Sequence, residues 1–112
     1  MTSLLIGRIA AAVLAGSTFV FLFIHDSWRA DNLFLVPDLI MCAALAVAAG
    51  LPSAIAGRAL TVAFALSAGV FMTSVASYAV DGRLGAPSLA GAVAAAAFAV
   101  WLASRPRPTP AR

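Results

Sequence analysis

The sequence predicts an all-α integral membrane protein: a four-helix transmembrane bundle with its N-terminus and C-terminus on the cytoplasmic side. Three observations lead there. Of the 112 residues, 63% are hydrophobic and only 10% are charged, whereas soluble domains carry about 25% charged residues. The apolar residues fall into four stretches, and short polar or proline-containing links separate those stretches. A soluble chain of this length has too small an interior for so much apolar surface, whereas lipid covers it from outside.

A hydrocarbon core about 30 Å thick is crossed by roughly 20 apolar residues rising about 1.5 Å each. The first stretch covers about 3–24. It is longer than the apolar part of a signal peptide, has a weak charged region and lacks a small-x-small site before the polar loop, so it reads as a span. The second covers 34–50 and opens with Val36-Pro37-Asp38. Proline needs no amide partner there, and an acid meets the positive end of the helix dipole. The third covers 59–80 and the fourth 87–103. Each is read as a helix because hydrocarbon offers the backbone no other hydrogen-bond partner.

Between the first two spans lies the polar run His25-Asp26-Ser27-Trp28-Arg29-Ala30-Asp31-Asn32. Leu51-Pro52-Ser53 and then Gly57-Arg58 make the second link, and Asp81-Gly82-Arg83-Leu84-Gly85-Ala86-Pro87 the third. Links this short place successive helices side by side and antiparallel. Residues 1–104 thus form one domain. After it comes Arg105-Pro106-Arg107-Pro108-Thr109-Pro110, which cannot continue a helix because every second residue lacks an amide donor. We read 105–112 as an extended cytoplasmic tail.

Arginines near span ends are retained in the cytoplasm. Arg8, Arg58, Arg105, Arg107 and Arg112 fall on one side, against Arg29 and Arg83 on the other, which carries all four acids. Lysine, glutamate and glutamine are absent and alanine is abundant. That bias points to a GC-rich bacterial genome, hence to a bacterial cytoplasmic membrane. The net charge of +3 does not imply nucleic-acid binding, since the arginines are dispersed and aromatics do not interleave with them.

Small residues four apart let helix backbones approach in lipid. Ala12 and Gly16, Ala46 and Gly50, Ala65 and Gly69, and Gly91, Ala95 and Ala99 have this spacing, so every helix offers a smooth face. Trp28, Tyr78 and Trp101 stand near span ends, where aromatic side chains anchor in the headgroup layer. Arg8, one or two turns into the first span, can extend its head to the inner headgroups.

Residues able to carry chemistry are few. In the third span Thr73, Ser77 and Asp81 fall at i, i+4 and i+8, and Ser67, Ser74 and Tyr78 at i, i+7 and i+11, which together make one side of its outer half polar. The ordinary role of such hydroxyls is to bond the i−4 carbonyl or a neighbouring helix. The sharper expectation is an outward-facing cleft floored by Thr73 and Ser77 and rimmed by His25, Asp26, Asp38 and Asp81. Such a cleft suits a lipid headgroup, a quinone or a small cation. Asp38 serves either as a helix cap or as a functional acid. A single histidine cannot make a bis-histidine haem site within one chain, and Cys42 stands alone, so no cofactor or metal is expected. Motifs for serine or cysteine nucleophiles, phosphate-cradling loops and HExxH are absent.

The size and layout resemble the small multidrug resistance transporters, but those carry a membrane-embedded glutamate in the first helix and this chain has no glutamate. The layout is also similar to DoxX-like proteins and to GtrA-like lipid-sugar flippases, without a shared motif. The expected function is therefore a small accessory or structural subunit that packs against a larger membrane complex in lipid. The alternative is a homo-oligomeric transporter or lipid flippase using the outer cleft, and the third is a quinone-linked or redox membrane protein.

Overall fold

Runs of alanine, leucine and valine propagate helix readily, the prolines and charges within them fall in the first two turns, and four helices result. The computed structural model describes residues 3–24 and 34–105. Helix α1 spans Ser3–Ile24, α2 Leu35–Gly50, α3 Ser53–Val80 and α4 Ala86–Ser104; no strand occurs among the described residues. The loop at 25–32, with Trp28 and Arg29, and the tail beyond Arg105 lie outside the described residues. Helices α1, α3 and α4 are long and apolar enough to cross a membrane, whereas α2 is a shorter apolar helix of 16 residues.

As helices, three of the four expected segments match to within a residue at each end. The third does not: α3 begins at Ser53, six residues before the expected start at 59, so Gly57 and Arg58 belong to the helix. Pro52 explains the difference. Its carbonyl receives the amides of Ile55 and Ala56 at 3.0 and 2.9 Å, so Pro52 starts the helix just inside the turn where a proline is tolerated. Arg58 does not break it, because a long side chain can carry its charge away from the helix axis. The α2–α3 link therefore shrinks to Leu51-Pro52.

The α3–α4 turn uses one left-handed residue, Gly82 at φ 71°, a conformation that a Cβ would strain. The amides of Gly82 and Arg83 close it, bonding the carbonyls of Ala79 and Tyr78 at 3.0 and 2.9 Å.

Successive helices pack as antiparallel neighbours, most extensively α3 on α4, then α1 on α2, then α2 on α3. Helix α1 meets α3 and α4 slightly, and α2 and α4 do not meet. The bundle measures 56 × 22 × 20 Å. Its core joins Ala11 and Ala15 of α1, Met41 and Leu45 of α2, Leu60 and Phe64 of α3, and Ala95 of α4. Phe64 is fully buried and its ring stacks on Phe98 at 5.2 Å between centroids and 19° between planes. Such a pair adds about 0.5–1.5 kcal/mol to the burial of its rings.

Charge separates along the bundle. Arg8, Arg58 and Arg105 lie at the end formed by the starts of α1 and α3 and the finishes of α2 and α4, while Asp38, Asp81 and Arg83 lie at the other. Arg8 Nη1 donates to the Ala49 carbonyl oxygen at 2.7 Å, and Nη2 to Ser53 Oγ at 3.4 Å. It thus satisfies an orphan carbonyl at the end of α2 and ties α1 to the α2–α3 corner.

Candidate functional site

The single polar side expected of α3 divides in the structure, because its two series of hydroxyls meet different surroundings. Ser67, Ser74 and Tyr78 turn toward α4. Ser67 is fully buried and donates to the Ala63 carbonyl at 2.7 Å; Ser74 and Ser88 share a hydrogen bond of 2.8 Å between α3 and α4. Tyr78 packs beside Gly85, where a Cβ would stand 2.4 Å from Tyr78 Cδ2, so glycine is required there for the ring to lie over the turn. Arg83 covers the same ring at 5.1 Å from its centroid, and at the opposite end Arg105 covers Trp101 at 5.5 Å. Cation–π pairs of this kind contribute about 0.5–1 kcal/mol when exposed.

Thr73, Ser77 and Asp81 are exposed. Thr73 donates to the Gly69 carbonyl at 2.9 Å, which occupies its hydroxyl within its own helix. Ser77 makes no hydrogen bond to a described residue. Asp81 caps α3 with its amide on the Tyr78 carbonyl at 3.1 Å, and its carboxylate stands 4.0 Å from Arg83, both side chains about two-thirds exposed. An ion pair so open to solvent contributes little. Asp38 is half-buried in the first turn of α2, with its amide on the Phe34 carbonyl at 2.8 Å. That position favours an acid through the helix dipole. His25 and Asp26, expected on the rim, lie outside the described residues.

Of the expected cleft residues, Thr73 lines a concavity. It borders an open groove of about 530 Å³ between the start of α2 and the middle of α3, with Phe34, Pro37, Gly69 and Val70. A second groove of about 430 Å³ continues along the α2–α3 seam toward the arginine-rich end, and Leu66 borders both. Both are lined almost wholly by apolar side chains. The second groove's one charged residue, Arg58, is legible in the sequence as an orientation signal but not as a groove residue, because nothing local fixes where α2 lies. Ser88 is likewise missed as the partner of Ser74, since no spacing rule links residues across a turn.

The small-residue faces also separate. Gly91 is buried against Phe71, whose ring atoms would stand 2.9 Å from an added Cβ, whereas Gly16, Gly50 and Gly69 have nothing within 4 Å of that position. The face around Gly91, Ala95 and Ala99 is used inside the chain, and the other three point outward, with Ala12, Ala46 and Ala65 exposed beside those glycines. Among the described residues no three His, Cys, Asp or Glu side chains come together to hold a metal ion. No protein-family model matches the chain, and neither a curated protein nor a solved structure matches it.

Proposed function

We propose that this chain is a four-span protein of a bacterial cytoplasmic membrane, with both termini inside, that acts as an accessory or structural subunit packing laterally against a larger membrane complex. The observation that carries the reading is the outward placement of three smooth faces at Gly16, Gly50 and Gly69. In lipid, apolar helices gain little by hiding from one another, so association depends on close backbone approach and packing. A chain that spends one such face internally and leaves three open is built for lateral contact. The rest of the bundle supports this: the hydroxyls of Thr61, Ser67 and Thr73 are bonded to carbonyls of their own helix.

The test is isolation of the tagged chain from its native membrane in a mild detergent, followed by mass spectrometry. A larger membrane protein in fixed stoichiometry is expected, and Gly16→Leu or Gly69→Leu should reduce its recovery without unfolding the chain. A chain that emerges alone or only with copies of itself would refute the subunit reading. Labelling of single cysteines placed at Arg83 and Arg105 in sealed vesicles checks the topology; position 105 should react only from the cytoplasmic side.

A further inference from the structure

The groove along the arginine-rich half of the α2–α3 seam combines an apolar floor with a charge at its mouth. Val47 from α2, Leu51 from the link and Ile55, Val62 and Leu66 from α3 line it, and Arg58 stands on its rim about one turn in from the α2–α3 corner. Arg58 is exposed and has no ion pair or hydrogen bond to a described residue. From Ile55 to Leu66 the groove runs about 16 Å along α3, at about 1.5 Å per residue. That is close to half of a hydrocarbon core about 30 Å thick. We propose that this groove holds one anionic phospholipid of the inner leaflet, with an acyl chain against Val47, Val62 and Leu66 and its phosphate on the Arg58 guanidinium.

Charge complementarity selects this occupant over a second helix. Arg58 is the sixth residue of α3, an exposed cation without an ion pair to a described residue, which an anion would balance. Arg8 adds a second positive charge at the same corner through Ser53. The described carboxylates are far off: Asp38 begins α2 and Asp81 ends α3, both at the opposite end of the bundle. An apolar partner helix laid in this groove would leave Arg58 without a counter-charge. A phosphate satisfies it with charge-assisted, geometrically matched hydrogen bonds, while the chain below it occupies the apolar floor.

The inference rests on the membrane reading above, and alkaline extraction of native membranes tests that separately. A chain released by alkali fails the membrane reading; a chain that is retained but lacks the lipid preference fails only the site. The experiment is native mass spectrometry of the purified protein with dioleoyl phosphatidylglycerol or dioleoyl phosphatidylcholine added in equal amounts. Both lipids offer a phosphate to Arg58, but the trimethylammonium of phosphatidylcholine cancels that charge in the positive field of Arg58 and Arg8. The wild type should therefore retain one phosphatidylglycerol with about tenfold preference. Arg58→Gln should abolish the preference, Arg58→Lys should keep part of it, and Val62→Trp, which fills the groove and leaves the charge, should lower retention. Circular dichroism of each variant confirms its helicity. Equal retention of both lipids, an unaffected Arg58→Gln, displacement by soluble sn-glycerol 3-phosphate, or a second copy bound in place of lipid would each overturn the proposal.

Discussion

Replacing Gly91 by Ala measures how closely α3 and α4 approach. An added Cβ would lie 2.9 Å from Cε1 and Cζ of Phe71 and 3.0 Å from Cδ1, whereas carbon atoms in contact prefer about 3.5–4.0 Å. The ring must retreat by roughly 0.5 Å or the helices must part. Forcing an extra carbon into a packed interface costs about 1–3 kcal/mol. Alanine also gains about 1 kcal/mol over glycine in a helix, which would mask part of that cost. Gly16→Ala supplies the control, because it makes the same gain with nothing within 4 Å. The difference between the two variants isolates the crowding. We expect Gly16→Ala to match or exceed the wild type and Gly91→Ala to lie about 1–3 kcal/mol below Gly16→Ala. Titration of SDS into dodecyl maltoside micelles, followed by far-ultraviolet circular dichroism, reads both. Adding Phe71→Leu to Gly91→Ala should recover part of the loss, as residues in contact couple in a double-mutant cycle. Equal stability of Gly91→Ala and Gly16→Ala would refute the close approach.

Three further outcomes follow from the packing. Phe64→Ala removes a fully buried ring and its stack on Phe98, and should cost about 3–5 kcal/mol in the same titration. Ser74→Ala and Ser88→Ala should show a coupling of about 0.6 kcal/mol, the average for such pairs within membranes; a coupling of zero would mean that the hydroxyls do not meet. Arg8→Met keeps the apolar stem but loses the bond to the Ala49 carbonyl, a contribution of about 1.5 kcal/mol. It should speed amide exchange at the α2–α3 corner while leaving α4 unchanged.

The spans are legible because hydropathy and punctuation agree: α1 runs Ser3–Ile24 as expected, and α4 differs from its expected limits by one residue at each end. The start of α3 is not, because a charged residue such as Arg58 lowers hydropathy without ending a helix, whereas Pro52, two positions after α2, does fix its start. Small-residue spacing names the Gly91 face correctly, yet gives the same signal at Gly16, Gly50 and Gly69. Spacing reports that a helix has a smooth side; which side a neighbour takes depends on bulky residues elsewhere, here Phe71. The polar faces of α3 are visible as periodicities, but the division between Ser74 facing Ser88 and Thr73 facing the α2–α3 groove depends on the rotation of the helix about its axis. Sequence alone sends Arg8 toward headgroups; its bond to Ala49 needs the end of α2 to be placed first.

The unequal lengths of α2 and α3 have a mechanical consequence. Helix α2 has 16 residues and α3 has 28. At a rise of about 1.5 Å per residue they reach about 24 Å and about 42 Å respectively. Packed as neighbours, they cannot tilt independently, so any lean that fits α3 to a bilayer shortens the vertical reach of α2 further. In the membrane setting proposed above, lipid along that flank would compress by roughly 6 Å relative to a core about 30 Å thick, at fractions of a kcal/mol per ångström. A chain so placed would make an asymmetric dent in the bilayer, shallow on one side and full depth on the other. Elastic energy stored in that dent is released when a protein replaces the compressed lipid beside α2, and it grows in bilayers of longer acyl chains. Under the proposed membrane reading, bilayer thickness would be a variable that sets where this protein gathers and which of its flanks assembles first.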